Sequence, residues 1–371
     1  MLKYFFIVFM LVAINNSMGQ DNPGWLPLEL KYNKEVHLKN VKQLTFGGDN
    51  AEAYFSFNDS LLTFQVTNKQ WNLECDQIYW FDWRKDDLQK NIPHLLSTGK
   101  GRTTCSYFLP GDTTILFAST HLGKETCPTP PAKRTDGKYV WAVFPDFDVF
   151  VSDLKGNIIK RLTDSPGYDA EATVSPRGDK IVFTSVRSGD LELWTMNIDG
   201  SNLKQVTDKL GYDGGAFFSP DGSKLIFRAS RPVTEEDQKT YIDLAKEGLV
   251  MPTLMSLYIC NVDGSGMQKI TDLANASWAP FFHPSGKKVI FASNYNSKRG
   301  LPFNLYMINI DGTGLERDVV AVVVVDFNAL DAVAKSAAIC DRHGASGHDK
   351  TANSLVRNAA TVCRKSAGAL A

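Results

Sequence analysis

Residues 217–227 read FFSPDGSKLIF, a Ser-Pro-Asp-Gly turn held between two apolar runs. Three readings are open: a glycine loop on a ligand, part of a calcium site, or a hairpin bend. Relatives within the chain decide between them. SFNDSLLTF begins at Ser56, LPGDTTILF at Leu109, SPRGDKIVF at Ser175 and HPSGKKVIF at His283, beside SPDGSKLIF at Ser219. In each, a short polar turn leads into alternating apolar positions that end in Phe. Proline presets one turn dihedral, Asn, Asp or Gly accepts the awkward one, and a strand leaves the bend.

Two further series interleave with the first. QLT at Gln43, LLS at Leu95, RLT at Arg161, QVT at Gln205 and KIT at Lys269 precede the turns. NIDGSN, NVDGSG and NIDGTG follow apolar strands such as LELWTM, with DLKGN at Asp153 a weaker form. One unit is therefore strand, SPDG turn, strand, variable loop, strand, DG turn and a strand ending in Leu-Thr. Successive turns are 53, 66, 44 and 64 residues apart, and the excess always falls between the second and third strands. Four antiparallel strands at such a period predict an all-β chain, a β-propeller of four-stranded blades. Five blades are recognisable, with a sixth degenerate or missing.

These units resemble the WD-repeat-like blades of the TolB-type propeller family, which carry SPDG, a following F-x-S-x-R and a closing M-N-x-D-G-S. SPRGDKIVFTSVR with MNIDGSN, and SPDGSKLIFRASR with NVDGSG, carry the likeness here, over roughly residues 41–316. The resemblance implies the fold, whereas propellers host many functions. It also implies an α/β domain ahead of the propeller in TolB itself. Only some twenty residues lie between the expected export cut and the first repeat, so that domain is expected to be absent.

The first nineteen residues read as a secretory signal: Lys3, an apolar run over 4–14, and Ser17 and Gly19 at the −3 and −1 positions of a cut before Gln20. The domain plan is thus signal 1–19, N-terminal segment 20–40, propeller 41–316 and a tail at 317–371. Export places the protein in the periplasm or outside the cell, where disulfides persist. Lys plus Arg number 40 against 41 Asp plus Glu, so no bulk field favours nucleic acid. No membrane-embedded segment is expected once the signal is removed.

Strand alternation puts the SPDG and DG turns on one face of the disc. The long second-to-third-strand loops and the blade-to-blade loops emerge on the other, which is where recognition is expected. Within the longest loop, Thr234 followed by EEDQKTYIDLAKEG predicts a capped helix stopped by Gly248. It reads either as a lid over the channel or as packing on the disc edge. GYDAEA and GYDGGA place Asp169, Glu171 and Asp213 at the channel mouth, close to Arg187, Arg228 and Arg231. His121 holds the place of Arg187 in its own blade. These groups are candidates for binding a polar ligand, and equally for pairing with one another as structural salt bridges.

Cys75, Cys105 and Cys127 fall near this face and predict one disulfide, most simply Cys105 with Cys75 or Cys127. Cys260 is expected to be a small core residue. Cys340, His343, His348 and Cys363 match no common zinc spacing. No G-x-S-x-G elbow, H-E-x-x-H helix or Walker loop occurs. The DG turns lack the further acidic ligands of a calcium loop. No catalytic residue, metal or cofactor is predicted.

After NIDGTGLE the pattern stops. From Arg317 onward 13 of 55 residues are Ala and none is Pro, Trp or Tyr. This tail reads as a degenerate closing unit or as a foreign junction. The resulting expectation is a non-catalytic exported propeller that binds a protein, peptide or glycan partner of the cell envelope. The competing reading is a lyase or hydrolase on glycan or peptide, with its site at the channel mouth.

Overall fold

The computed structural model describes residues 42–317, apart from 133, 136–138, 253 and 298–302. The signal, the tail beyond Arg317 and the Cys340, His343, His348 and Cys363 set lie outside the described residues. Each repeat forms its own four-stranded antiparallel sheet, with strands A to D in chain order. Blade one runs Asp49–Phe55, Leu61–Thr67, Gln77–Asp82 and His94–Leu95. Blade two comprises Thr103–Phe108, Thr114–Ser119, Asp148–Asp153 and Ile158–Arg161. Blade three is Asp169–Val174, Lys180–Ser185, Glu192–Asn197 and Lys204–Gln205. Blade four is Asp213–Phe218, Lys224–Ala229, Ser256–Asn261 and Gln268–Lys269, and blade five Ser277–Phe282, Lys288–Ser293, Asn304–Asn309 and Glu316–Arg317. This is the five-bladed propeller of the repeat analysis.

The SPDG turn is chemically closed. Ser219 Oγ donates to Asp221 Oδ1 at 2.6 Å, and Asp221 Oδ1 accepts the Ser223 N–H at 3.0 Å. Ser219 Oγ also accepts the Lys224 N–H at 2.9 Å, while Gly222 takes φ +71°. The hydroxyls of Ser219 and Ser223 hold the Asp221 carboxyl down at about 2. The Asp221 carboxylate is thus engaged by the turn's own residues. The DG turns work alike: Asp199, Asp263 and Asp311 each accept both N–H and O–H of the Ser or Thr two residues on.

Strands A pack against one another from blade to blade and so line the channel. Each breaks register near its third residue, at Glu52, Cys105, Glu171, Gly215 and Ala279, all with φ between +45° and +58°. Four of the five bear side chains in this sparsely populated region, and a bulge there re-aims the side chain. At the turn end of the channel, rings close the gap: Tyr54 lies 5.2 Å from Tyr107 and 5.9 Å from Phe217, which lies 5.2 Å from Phe281. Between blades, apolar clusters such as Ile226, Ile259, Val289, Phe291 and Ile308 are buried. Each such aliphatic or aromatic side chain contributes roughly 1.5–3 kcal/mol of transfer free energy.

Candidate functional site: the roofed channel mouth

The other end of the channel is closed by the long loops. Trp141–Ala142, from the loop of blade two, pairs antiparallel with Leu249–Val250, from the loop of blade four. Val143 N–H donates to Gly248 O at 2.7 Å, which extends the pairing by one bond. A helix, Glu235–Lys246, supports this strap from the blade-four side. Thr234 caps it by accepting the Asp237 N–H at 3.1 Å, as the sequence predicts, and three acidic residues occupy its first turn. Tyr241 fixes the helix to the disc by donating its hydroxyl to Asp190. The helix therefore belongs to a lid whose base packs on the disc.

The blade-two loop is tethered separately. Cys75 and Cys127 form a disulfide across a separation of 52 residues, with Cα atoms 5.9 Å apart. This differs from the simplest sequence expectation, in which Cys105 is one partner. Cys105 is a buried thiol on the innermost strand, outside the disulfide, whereas both bridged cysteines sit in loops on the open face. Cys260 is also free and fully buried.

Beneath the strap lies a charged pair enclosed by rings. Arg228 Nη2 is 2.6 Å from Glu171 Oε1, and both side chains are less than a tenth exposed. Glu171 Oε2 accepts further bonds from the Tyr212 hydroxyl at 2.6 Å, Thr184 Oγ1 at 2.9 Å and the Gly215 N–H at 3.0 Å. Burial opposes the Arg228 charge, but Glu171 together with Tyr212, Glu52 and Cys105 more than offsets it, so the guanidinium stays protonated. Its carbon lies 4.6 Å from the Trp278 ring, 5.5 Å from Tyr212 and 6.0 Å from Trp141. Trp141 in turn meets Tyr212 and Trp278 edge-on at 5.6 and 5.2 Å.

Two glycines make this possible. A Cβ on Gly215 would sit 2.0 Å from Arg228 Nη1, and one on Gly214 2.1 Å from the Tyr212 hydroxyl. Blade four therefore carries GYDGGA where blade three carries GYDAEA. Blade three supplies the Glu171 carboxylate, and blade four omits the matching side chain to admit the arginine that pairs with it.

A cavity of about 70 Å³ opens beside this pair. It is lined by the Glu171–Arg228 and Asp76–Arg102 pairs, by Pro130 and Pro131, and by the rings of Trp141, Phe144, Phe147 and Tyr168. That volume holds a few waters or one inserted side chain, well short of the several hundred Å³ of a typical small-molecule pocket.

The remaining predicted groups pair internally. Arg187 Nη2 is 2.7 Å from Asp169 Oδ2 and lies over Phe183 and Trp194. Arg231 Nη1 is 2.6 Å from Asp213 Oδ1 and lies over Tyr258. His121 Nδ1 meets Ser119 Oγ at 2.9 Å, its ring 4.5 Å from Phe150, and burial lowers its pKa. Of Asp169, Glu171, Asp213, Arg187, Arg231 and His121, only Glu171 lines the cavity. Sequence reasoning missed the wall from Trp141 to Phe147, because no repeat predicts where an insertion folds back. It also missed Glu192, buried next to Asp213. Burial, with the Asp213 charge, raises its carboxyl to about 9 against the opposing hydrogen bond to Thr207.

Residues 130–247 match the family model described as the TolB beta propeller domain. This stretch is TolB-type propeller. It spans blade three, the outer two strands of blade two, the inner two of blade four, and the helix Glu235–Lys246. An uncharacterized protein of Agrobacterium fabrum is 27% identical over 174 residues, covering 46% of this chain and 38% of that protein. The chain thus spans about two fifths of the length of the curated relative it matches. A solved structure of putative TolB from Agrobacterium tumefaciens is 20% identical, covers 72% of this chain and 80% of that one, and superposes with a TM-score of 0.49. TolB from Acinetobacter baumannii is 17% identical over 71% of this chain and 53% of its own, also with a TM-score of 0.49.

Proposed function

We propose that this TolB-type propeller is an exported, non-catalytic binding module that holds a protein, peptide or glycan partner of the cell envelope on its insertion face. The observation that carries this reading is the strap. Loops from two non-adjacent blades meet over the channel mouth and set Trp141 above the Glu171–Arg228 pair. Such a surface combines rings, prolines and fixed charges at a small opening, the composition of a recognition hot spot rather than of a substrate chamber. Asp169 and Asp213, the groups best placed for acid–base work, are each engaged by an arginine. The Cys75–Cys127 bridge accords with a periplasmic or secreted location. Among the described residues no helix is long and apolar enough to cross a membrane.

Capture from an envelope fraction tests the reading. Wild type is expected to retain a partner that a variant with residues 232–256 replaced by a short turn does not. Equal retention by both, with the shortened variant folded by circular dichroism, contradicts it.

A further inference from the structure

The cavity beneath the strap is unbalanced in its hydrogen bonding. Its two carboxylates are spent. Glu171 Oε1 takes Arg228 Nη2 and Oε2 takes three further donors. Asp76 Oδ1 accepts Thr67 Oγ1 at 2.6 Å, and Oδ2 accepts Arg102 Nη1 at 2.7 Å. The donors on the same walls are not spent. A guanidinium carries five N–H groups. Arg228 uses only Nη2, on Glu171 and the Tyr212 hydroxyl, and Arg102 uses only Nη1. Arg228 is 5% exposed, yet its Nε, like that of Arg102, is buried without a hydrogen-bond partner among the described residues. Arg228 Nη1, Arg102 Nη2 and the Tyr168 hydroxyl likewise meet no acceptor there, and unlike the two Nε atoms they are not fully enclosed.

The strap holds these donors in place. Phe144 lies 5.8 Å from the Arg102 guanidinium and Trp141 6.0 Å from that of Arg228, so one segment caps each arginine with a ring. Asp76, which fixes Arg102, follows Cys75, and the bridge from Cys75 to Cys127 anchors the loop that carries Pro130 and Pro131. A ligand that enters must therefore bring acceptors. Two guanidinium groups and a phenol favour a carboxylate, whose two oxygens can each take an N–H. The phenyl and proline walls suit a short aliphatic stem, and a volume of about 70 Å³ admits a side chain rather than a sugar ring. Each arginine is already paired with a wall carboxylate, so the incoming group is held by hydrogen bonds rather than by net charge, and the contact is weak when isolated.

We propose that this cavity receives the carboxylate of one aspartate or glutamate side chain of a partner protein. N–H groups of Arg102 and Arg228 hold its oxygens, and the Tyr168 hydroxyl supplies a third donor. The inference rests on the reading of this face as a recognition surface and names the chemistry of its anchor.

The test titrates propionate, the glutamate side chain cut at Cβ, into the full chain while the Trp141 indole N–H resonance is followed. A saturable shift with a millimolar Kd is expected, and propionamide, with one acceptor oxygen in place of two, should bind about fivefold or more weakly. Arg102→Gln should weaken propionate about fivefold or more and Tyr168→Phe about twofold or more, each with unchanged circular dichroism. Arg228 is left intact because its loss destabilises the fold. Absence of a saturable shift overturns the proposal, as does equal binding of propionamide or full affinity in either variant. Glucuronate should bind more weakly than propionate, and binding as tight would overturn the assignment to a side chain. Capture from the envelope fraction is a separate readout. A captured partner without propionate binding defeats this inference alone, and propionate binding without capture defeats only the wider reading.

Discussion

At the turn face the channel is filled by Tyr54, Tyr107, Phe217 and Phe281, all from A strands, and rimmed by turns that bond to themselves within five residues. At the insertion face it is roofed by segments that meet only because the disc brings them together: Trp141 with Leu249–Val250, Tyr241 with Asp190, and Cys75 with Cys127. The first end is mostly repeated local chemistry, with a link between blades where Asp112 accepts the Phe57 and Asn58 N–H groups. The second end is unique and coupled, so a single change propagates. A binding surface needs the second kind of construction, because partner recognition depends on groups held in one relative position.

That contrast can be broken most severely at its centre. Arg228→Met leaves Glu171 buried among rings and should destabilise the protein by roughly 3–5 kcal/mol in chemical denaturation. A comparable loss from Arg177→Met on the turn face, where the arginine is exposed, would dissolve the distinction between the two ends.

Next in size is the tether. Replacing Cys75 and Cys127 together by Ser should cost about 2–4 kcal/mol through the freed loop. Proteolysis should then nick the segment between 121 and 147 first, leaving the turns intact.

Glu192→Gln sharpens the comparison through pH. A carboxyl held neutral in the fold but ionising near its ordinary value when unfolded is most favourable at low pH. Its contribution is lost as pH rises from about 4 toward about 9. The Gln variant should therefore gain thermal stability relative to wild type at pH 8 and show little advantage at pH 4.

The smallest effect is expected in a turn. Asp221→Ala should cost about 0.5–1 kcal/mol, the scale of a single local hydrogen-bonded cap. Because the Asp221 carboxyl is held at about 2, that contribution is present above about 4 and fades as pH falls toward 2.

Much of the fold was legible because its determinants are local. SPDG, DG and Leu-Thr each encode a bond made within one blade, and their spacing located the blade strands and the long loops, but not the strap strands Trp141–Ala142 and Leu249–Val250 inside those loops. The ion pairs of Asp169, Glu171 and Asp213 were legible as neighbourhoods, since strand alternation places them beside strand-B arginines. Which arginine reached which acid was not, because the crossing from Glu171 to Arg228 depends on the space left by Gly215. The roof was hidden for the same reason. Trp141 and Leu249 stand in loops of different blades, and only the diameter of the disc sets them in register. Cys105 misled because proximity in sequence to blade two does not reveal that its side chain belongs to the channel wall.

Hydrogen exchange of the full chain, alone and with the envelope fraction it retains, tests most directly whether the roofed face is the working one. The account predicts slowed exchange in residues 139–147 and 249–256, with the turns at 175–179 and 219–223 unchanged. Protection of the turns with an unaltered roof would contradict it.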